Sequence, residues 1–186
     1  MPTSSDASSN AFSEAFSEAH PPTCLPAYMG ADLDSAHAVF ILPNAPEVPV
    51  REVKQGVHRP VVVSAVVAIN GNHWRKILTL AAKLMAPEAE QWRSFRDSSA
   101  FEALGFCFDP ALIGSEQLPR QQRVFVVGKA LQAQFPIHPK ATPLDERQDI
   151  WCYQQWVWCP YLDYRQFSNA RVDALRHRLN ATSVSN

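Results

Sequence analysis

Hydrophobic positions along the chain fall into short β-branched or aromatic runs separated by stretches of helical periodicity, an alternation that predicts an α/β protein. The first run is residues 37–42 (HAVFIL), ended by Pro43. It exits into PNAPEVP, where three prolines around Asn44 can continue neither a strand ladder nor a helix. Residues 61–69 (VVVSAVVAI) are the most apolar run. Their β-branched content predicts a strand, and a buried helix start is the other reading that their length allows. Asn70, Gly71 and Asn72 then supply a turn and an N-cap, after which Trp74, Ile77, Leu78, Leu80, Ala81 and Leu84 recur at helical spacing up to Pro87.

Pro87 opens a further helix with Trp92 and Phe95 inward. A short helix capped by Ser98 or Ser99 stops at Gly105 and leads into the irregular GFCFDPALIG. Residues 123–127 (RVFVV) predict a buried strand, Gly128 a turn, 129–135 the start of a helix and 136–149 a polar loop. Finally, residues 151–179 place an aromatic strand ending at Trp156, Val157 and Trp158, a loop opened by Cys159 and Pro160, and a basic helix over 164–179 with Phe167, Val172, Leu175 and Leu179 inward. The sum predicts a three-layer α/β domain, a four-stranded, mostly parallel sheet with helices on both faces. Ligands of such sheets sit beyond the carboxyl ends of the strands, which directs attention to the loops after residues 37–42 and 156–158.

Composition adds boundaries. A chain of 186 residues that is 46% hydrophobic has material for one sizeable core. That core is expected within 36–180, between a disordered, acidic Ser/Ala/Pro-rich tail over 1–35 and a disordered 181–186. The tail repeats AFSE at Ala11 and Ala15 but has neither the basic nor the apolar region of a signal peptide, so a cytoplasmic protein that enters no membrane is expected. Cys24, Cys107, Cys152 and Cys159 form no CxxC pair. Cys152 and Cys159 taken with His138 or His177 match no zinc spacing, so neither a metal nor another cofactor is expected. The net charge of −1 conceals an asymmetry: residues 1–50 hold six acids and no Lys or Arg, 51–116 eight bases against seven acids, and 117–186 nine bases against five acids. Arg165, Arg171, Arg176 and Arg178 gather on the last helix, which suits either phosphate contact or a plain solvated face with cations near a helix C-terminus.

Three segments, in this order, resemble a known family. GNHWRKIL from Gly71, VFVVGKALQAQF from Val124 and VWCPYLDYRQFSNARVDALR from Val157 are similar to the helix, third strand and final loop of the uracil-DNA glycosylase superfamily. The likeness is greatest to its mismatch-specific and thymine-glycosylase branch, with its GNRFWK-like helix, strand ending in Gly-Lys and Pro-Ser-rich loop followed by Arg. VFILPNAP from Val39 falls where that branch runs a strand into an Asn-Pro-Gly loop.

The resemblance implies a metal-independent, monofunctional DNA glycosylase acting through an oxocarbenium-like state with a held water. Asn44 would hold that water. Tyr161, Leu162, Tyr164, Arg165 and Arg171 would contact DNA, the loop supplying an apolar wedge and a cation as a base is extruded. Asn72 and His73 would read the base edge. Each also has a plainer role, Asn44 as a turn residue bonding its own backbone and Asn72 and His73 as caps. The chain departs from the family where Cys159-Pro160-Tyr161 replaces His-Pro-Ser or a Pro-Ser pair, and where the Gly-rich end of the first loop is missing. The functions compatible with these residues are a base-excision enzyme, a protein binding a damaged or mismatched base in DNA or a nucleotide without cleaving it, and a catalytically inactive module whose aromatic loop meets a protein partner.

Overall fold

The run AVFI at residues 38–41 is apolar at every position because both of its faces are covered. A computed structural model of the protein describes residues 23–49, 53–54, 57–58, 63–114 and 122–183. In chain order the strands are β1 (Thr23–Cys24), β2 (Tyr28–Gly30), β3 (Ala38–Ile41), β4 (Val48–Pro49), β5 (Val53–Lys54), β6 (Val57–His58), β7 (Leu104–Cys107), β8 (Arg123–Val127), β9 (Thr142–Pro143), β10 (Trp151–Tyr153) and β11 (Trp156–Cys159). The α-helices are α1 (Val63–Met85), α2 (Trp92–Ser94), α3 (Ala100–Ala103) and α4 (Asn169–Ser183).

Among the described residues, nine strands form one mixed sheet in the order β5-β6-β2-β7-β3-β8-β11-β10-β9, and β1 pairs with β4 in a separate antiparallel ribbon. This corrects the expected four-stranded, mostly parallel sheet. Parallel pairing joins β7 to β3, β3 to β8 and β8 to β11, while β2 and β10 flank them antiparallel. Helices on both faces is corrected as well. Residues of α1, α3 and α4 share one core with Phe40, Phe106 and Phe125, whereas the opposite core, around Val39, Val124, Val126 and Trp158, is closed by Ile113, Leu131 and other residues outside the α-helices.

Three local causes account for the difference. Residues 63–69 are helical, not a strand: Val63 and Val66 are buried while Ser64 and Ala68 are exposed, so one helical face packs on the sheet and tertiary burial overrides β-branched propensity. Val61 and Val62 lie outside the described residues. The turn expected at 70–72 survives as a kink at Gly71 (φ 67°, ψ −152°) inside α1. Second, GFC within the segment read as irregular is the parallel strand β7. Its Gly105 is required by a close approach, since a Cβ there would lie 1.8 Å from the Tyr28 hydroxyl oxygen, which itself donates to the Ala31 carbonyl at 2.6 Å. Third, residues 23–35, assigned to the tail, carry β1 and β2, and β2 extends the sheet beside β7; residues 1–22 lie outside the described residues.

Two shorter corrections concern helices. Residues 129–135 form a 3-10 turn at Lys129–Ala133 in place of an α-helix start. The last helix begins at Asn169 because Asp163 gathers the preceding residues into a turn of their own, its carbonyl accepting from Gln166 and Phe167 and its carboxylate from the Arg165 N–H. Stacked rings close the helical face: Phe40 lies 4.4 Å from Phe125 at 9° and 5.6 Å from Phe106 at 18°. Each such ring contributes about 1.5–3 kcal/mol by leaving water.

Candidate functional site

Sheet order locates the site. From β3 the chain passes through α1 to β7 on one side, then crosses to β8 on the other side of β3. The strand order therefore reverses between β3 and β8, and the crevice beyond their carboxyl ends is where an open α/β sheet holds a ligand. Asn44 follows β3 there, Gly128 and Lys129 follow β8, and Pro160 and Tyr161 follow β11.

Three of the residues singled out from sequence meet at this edge. The Tyr161 hydroxyl is 2.9 Å from His73 Nε2, and the two rings are parallel within 6° at 5.5 Å between centroids. The Asn44 side chain lies beside the same hydroxyl and favours its ionised form. Tyr161 is half-buried, and that burial pushes its phenol above its ordinary value. The phenol thus stays protonated through the neutral range and shares a hydrogen bond with His73 Nε2, in which the imidazole tautomer sets which of the two donates. Asn44 is exposed, and its carboxamide carries an acceptor oxygen, the atom type needed to orient a water or an N–H donor.

Packing holds the three in place. Trp74, next to His73, is buried and set edge-on to Phe106 at 6.3 Å and Phe108 at 5.8 Å, which fixes this turn of α1 and leaves His73 and Asn72 exposed. Asn70 ties the loop after Asn44 to α1, accepting from the Glu47 N–H and donating to the Glu47 carbonyl, both at 2.8 Å. Gly128, at φ 89°, passes beside the Tyr161 ring, with 3.7 Å between its missing Cβ position and Cδ2. Lys76 bridges to Asp163 at 2.8 Å and, with the Arg165 N–H, holds that carboxyl below its usual range.

The remaining predicted residues separate into two groups. Tyr164 is exposed, with the Lys83 ammonium 6.0 Å from its ring centroid, and Arg165 is exposed beside it. Leu162 and Arg171 do not face outward, which corrects the wedge and DNA-contact roles expected of them. Leu162 is 1% exposed in the helical-face core. Arg171 is also buried, its guanidinium donating to Asp145 at 2.8 Å, to Asp149 and to the Gln166 carbonyl at 2.7 Å. Arg176 caps the end of α1 through the Lys83 and Leu84 carbonyls, and Arg178 donates to Thr142. Sequence reasoning missed Lys76, Asp163 and Gly128 as supports of the site; Lys76 and Asp163 are 87 positions apart, and only the fold brings them together.

The four cysteines are free thiols. Among the described residues no group of three or more His, Cys, Asp or Glu side chains is disposed to hold a metal ion, and no helix is long and apolar enough to cross a membrane. The molecule is thus an α/β protein of mixed sheet whose Tyr161–His73 hydrogen bond, with Asn44 beside it, stands at the strand-order reversal. Residues 29–180 match a family of unknown function, DUF6942, and the chain belongs to that family. No curated protein and no solved structure matches it.

Proposed function

We propose that this is a cytoplasmic nucleobase-binding protein, related to the uracil-DNA glycosylases, whose switch-point crevice takes a damaged or mismatched base and hydrolyses its N-glycosidic bond. The observation that carries this reading is the meeting of Asn44, His73 and Tyr161, drawn from three distant segments, at the carboxyl ends of parallel strands, with Tyr161 hydrogen-bonded to His73 and Asn44 beside the hydroxyl. The water's oxygen attacks the anomeric carbon, the C–N bond breaks, and its electron pair leaves with the base. Asn44 Oδ1 orients the water without taking its proton, which passes through solvent to the departing base and leaves a free neutral base and a hydroxyl on the anomeric carbon. The stacked Tyr161 and His73 rings present an aromatic surface at the crevice edge, suited to a planar base.

A second reading is binding without cleavage. It is favoured by the commitment of Arg171 to two carboxylates, which leaves the predicted DNA face with fewer cations than the sequence suggests and fits a base on a single strand or in a free nucleoside better than a duplex. Single-turnover release from oligonucleotides carrying uracil, a G·T mismatch or hypoxanthine, and from uridine and inosine, tests both readings. Release that falls about a hundredfold or more in Asn44→Ala supports hydrolysis with Asn44 positioning the water. Binding weakened by Tyr161→Phe with no release from any substrate supports the second reading. Neither release nor binding overturns both and leaves a protein-interaction module.

A further inference from the structure

We infer that the loop-covered face of the sheet carries a second binding site, for an uncharged, planar heteroaromatic molecule. A cavity of about 630 Å³ opens there, within the range of small-molecule sites. Phe135, His138, Tyr153, Trp156 and Trp158 are in its lining, and among the described residues no Lys, Arg, Asp or Glu is. The described lining offers an entering ion no opposite charge to replace the water it would lose.

The rings dictate a flat ligand. His138 lies on Tyr153 at 3.8 Å and 4°, while Trp156 is 6.1 Å from Trp158 at 21° and 6.0 Å from Phe135 at 31°. These near-parallel surfaces accept a further ring by stacking. Their frame is fixed, because the Trp158 indole N–H donates to the Phe135 carbonyl at 2.9 Å. The polar groups are fixed less completely. His138 Nδ1 accepts from the Lys140 N–H at 3.1 Å, so Nε2 carries the ring proton and points a donor elsewhere. The Gln134 and Gln154 carboxamides, both at exposed positions, and the Tyr153 hydroxyl also line the cavity and can exchange water for a ligand's polar groups. A ring bearing both nitrogen acceptors and N–H donors satisfies such a set, whereas a hydrocarbon leaves it unpaired.

This site is separate from the Asn44 cluster. Tyr161 packs on the helical-face core, while Phe135, Tyr153 and Trp156 pack on the opposite core. The inference therefore does not depend on the function proposed above.

Isothermal titration of the full chain with indazole, quinazolin-4-one and lumichrome, and with cyclohexanol as the non-planar control, tests it. At least one planar probe should bind saturably and about tenfold or more tighter than cyclohexanol, and Trp156→Ala should weaken it by about tenfold. Gln154→Ala, at an exposed position, should weaken it without altering the fold, and Asn44→Ala should leave it unchanged. If Trp156→Ala does not fold, the planar-to-cyclohexanol ratio and Gln154→Ala decide. No saturable binding of any planar probe, equal affinity for cyclohexanol, or loss of binding in Asn44→Ala would overturn the inference.

Discussion

The two faces of the sheet are built from the same strands but closed in different ways. On the helical face, Phe40, Phe106 and Phe125 stack beneath α1, α3 and α4, and all three rings are fully buried. On the other face, Trp156 and Trp158 are met by loops and 3-10 turns, and a cavity remains. A helix offers a continuous apolar stripe that interlocks with strand side chains, whereas a loop must also satisfy its own backbone and fills space less completely. The fold thus keeps its stability on one face and leaves room for a ligand on the other.

Truncation is the strongest way to break this comparison. Phe125→Ala should cost about 3–5 kcal/mol, because the ring has dense neighbours on all sides. Trp156→Ala, although it removes more atoms, should cost only about 1–2 kcal/mol, since one flank of the ring is already open. Urea unfolding of the two variants measures this, and equal losses would show that the loop-covered face is packed as tightly as the helical one.

The helical face is also fastened by charge at its rim. Arg171 is 9% exposed in its side chain, while its partners Asp145 and Asp149 are 32% and 25% exposed. Replacing it with Met should leave two carboxylates without their counter-ion and cost about 2–3 kcal/mol, less than for a fully buried pair because water reaches both acids. Arg165→Ala, on the exposed loop, should change stability by less than about 0.5 kcal/mol. A nucleic-acid titration should show the reverse order, with Arg165→Ala weakening binding in any variant that still folds.

Alkaline pH separates the faces by their thiols. Burial pushes Cys107, on the loop-covered side, up to about 12, and raises Cys159, under the helical side, still further. Above the ordinary thiol value of 9.0 the unfolded chain loses these protons while the native protein keeps them, so stability falls as pH rises from there toward 12. Urea midpoints should drop across that window, and Cys107→Ala should flatten the drop. Smallest of all is Lys76→Ala: the Lys76–Asp163 bridge is solvent-screened, so the melting temperature should hardly move, although the position of Tyr161 should loosen. Under the proposed base release, Lys76→Ala should slow the reaction without loss of stability.

How much was legible in the sequence follows from the range of each interaction. Residues 38–41, 123–127 and 156–159 announced themselves as strands because burial on both faces demands an unbroken apolar run, a demand written in adjacent positions. The candidate residues Asn44, His73 and Tyr161 were also visible, since strand ends and helix starts are marked by Pro, Gly and Asn. Other features were silent. Residues 63–69 have a strand's composition and a helix's burial, and only the sheet beneath them settles which prevails. Residues 104–107 form a strand because β2 and β3 offer hydrogen bonds on either side, a partnership with no local signature. Arg171 looks like a phosphate contact until Asp145 and Asp149 fold across it.

The sequence by itself determined the apolar segments, the punctuation between them and the residue types available at the strand ends, because each of these is a property of near neighbours along the chain. The tertiary structure alone decided the nine-stranded mixed order, the helix-covered and loop-covered faces, and which charges are committed internally. Those outcomes depend on burial and on partners many residues away, whose energies exist only once the chain has closed on itself.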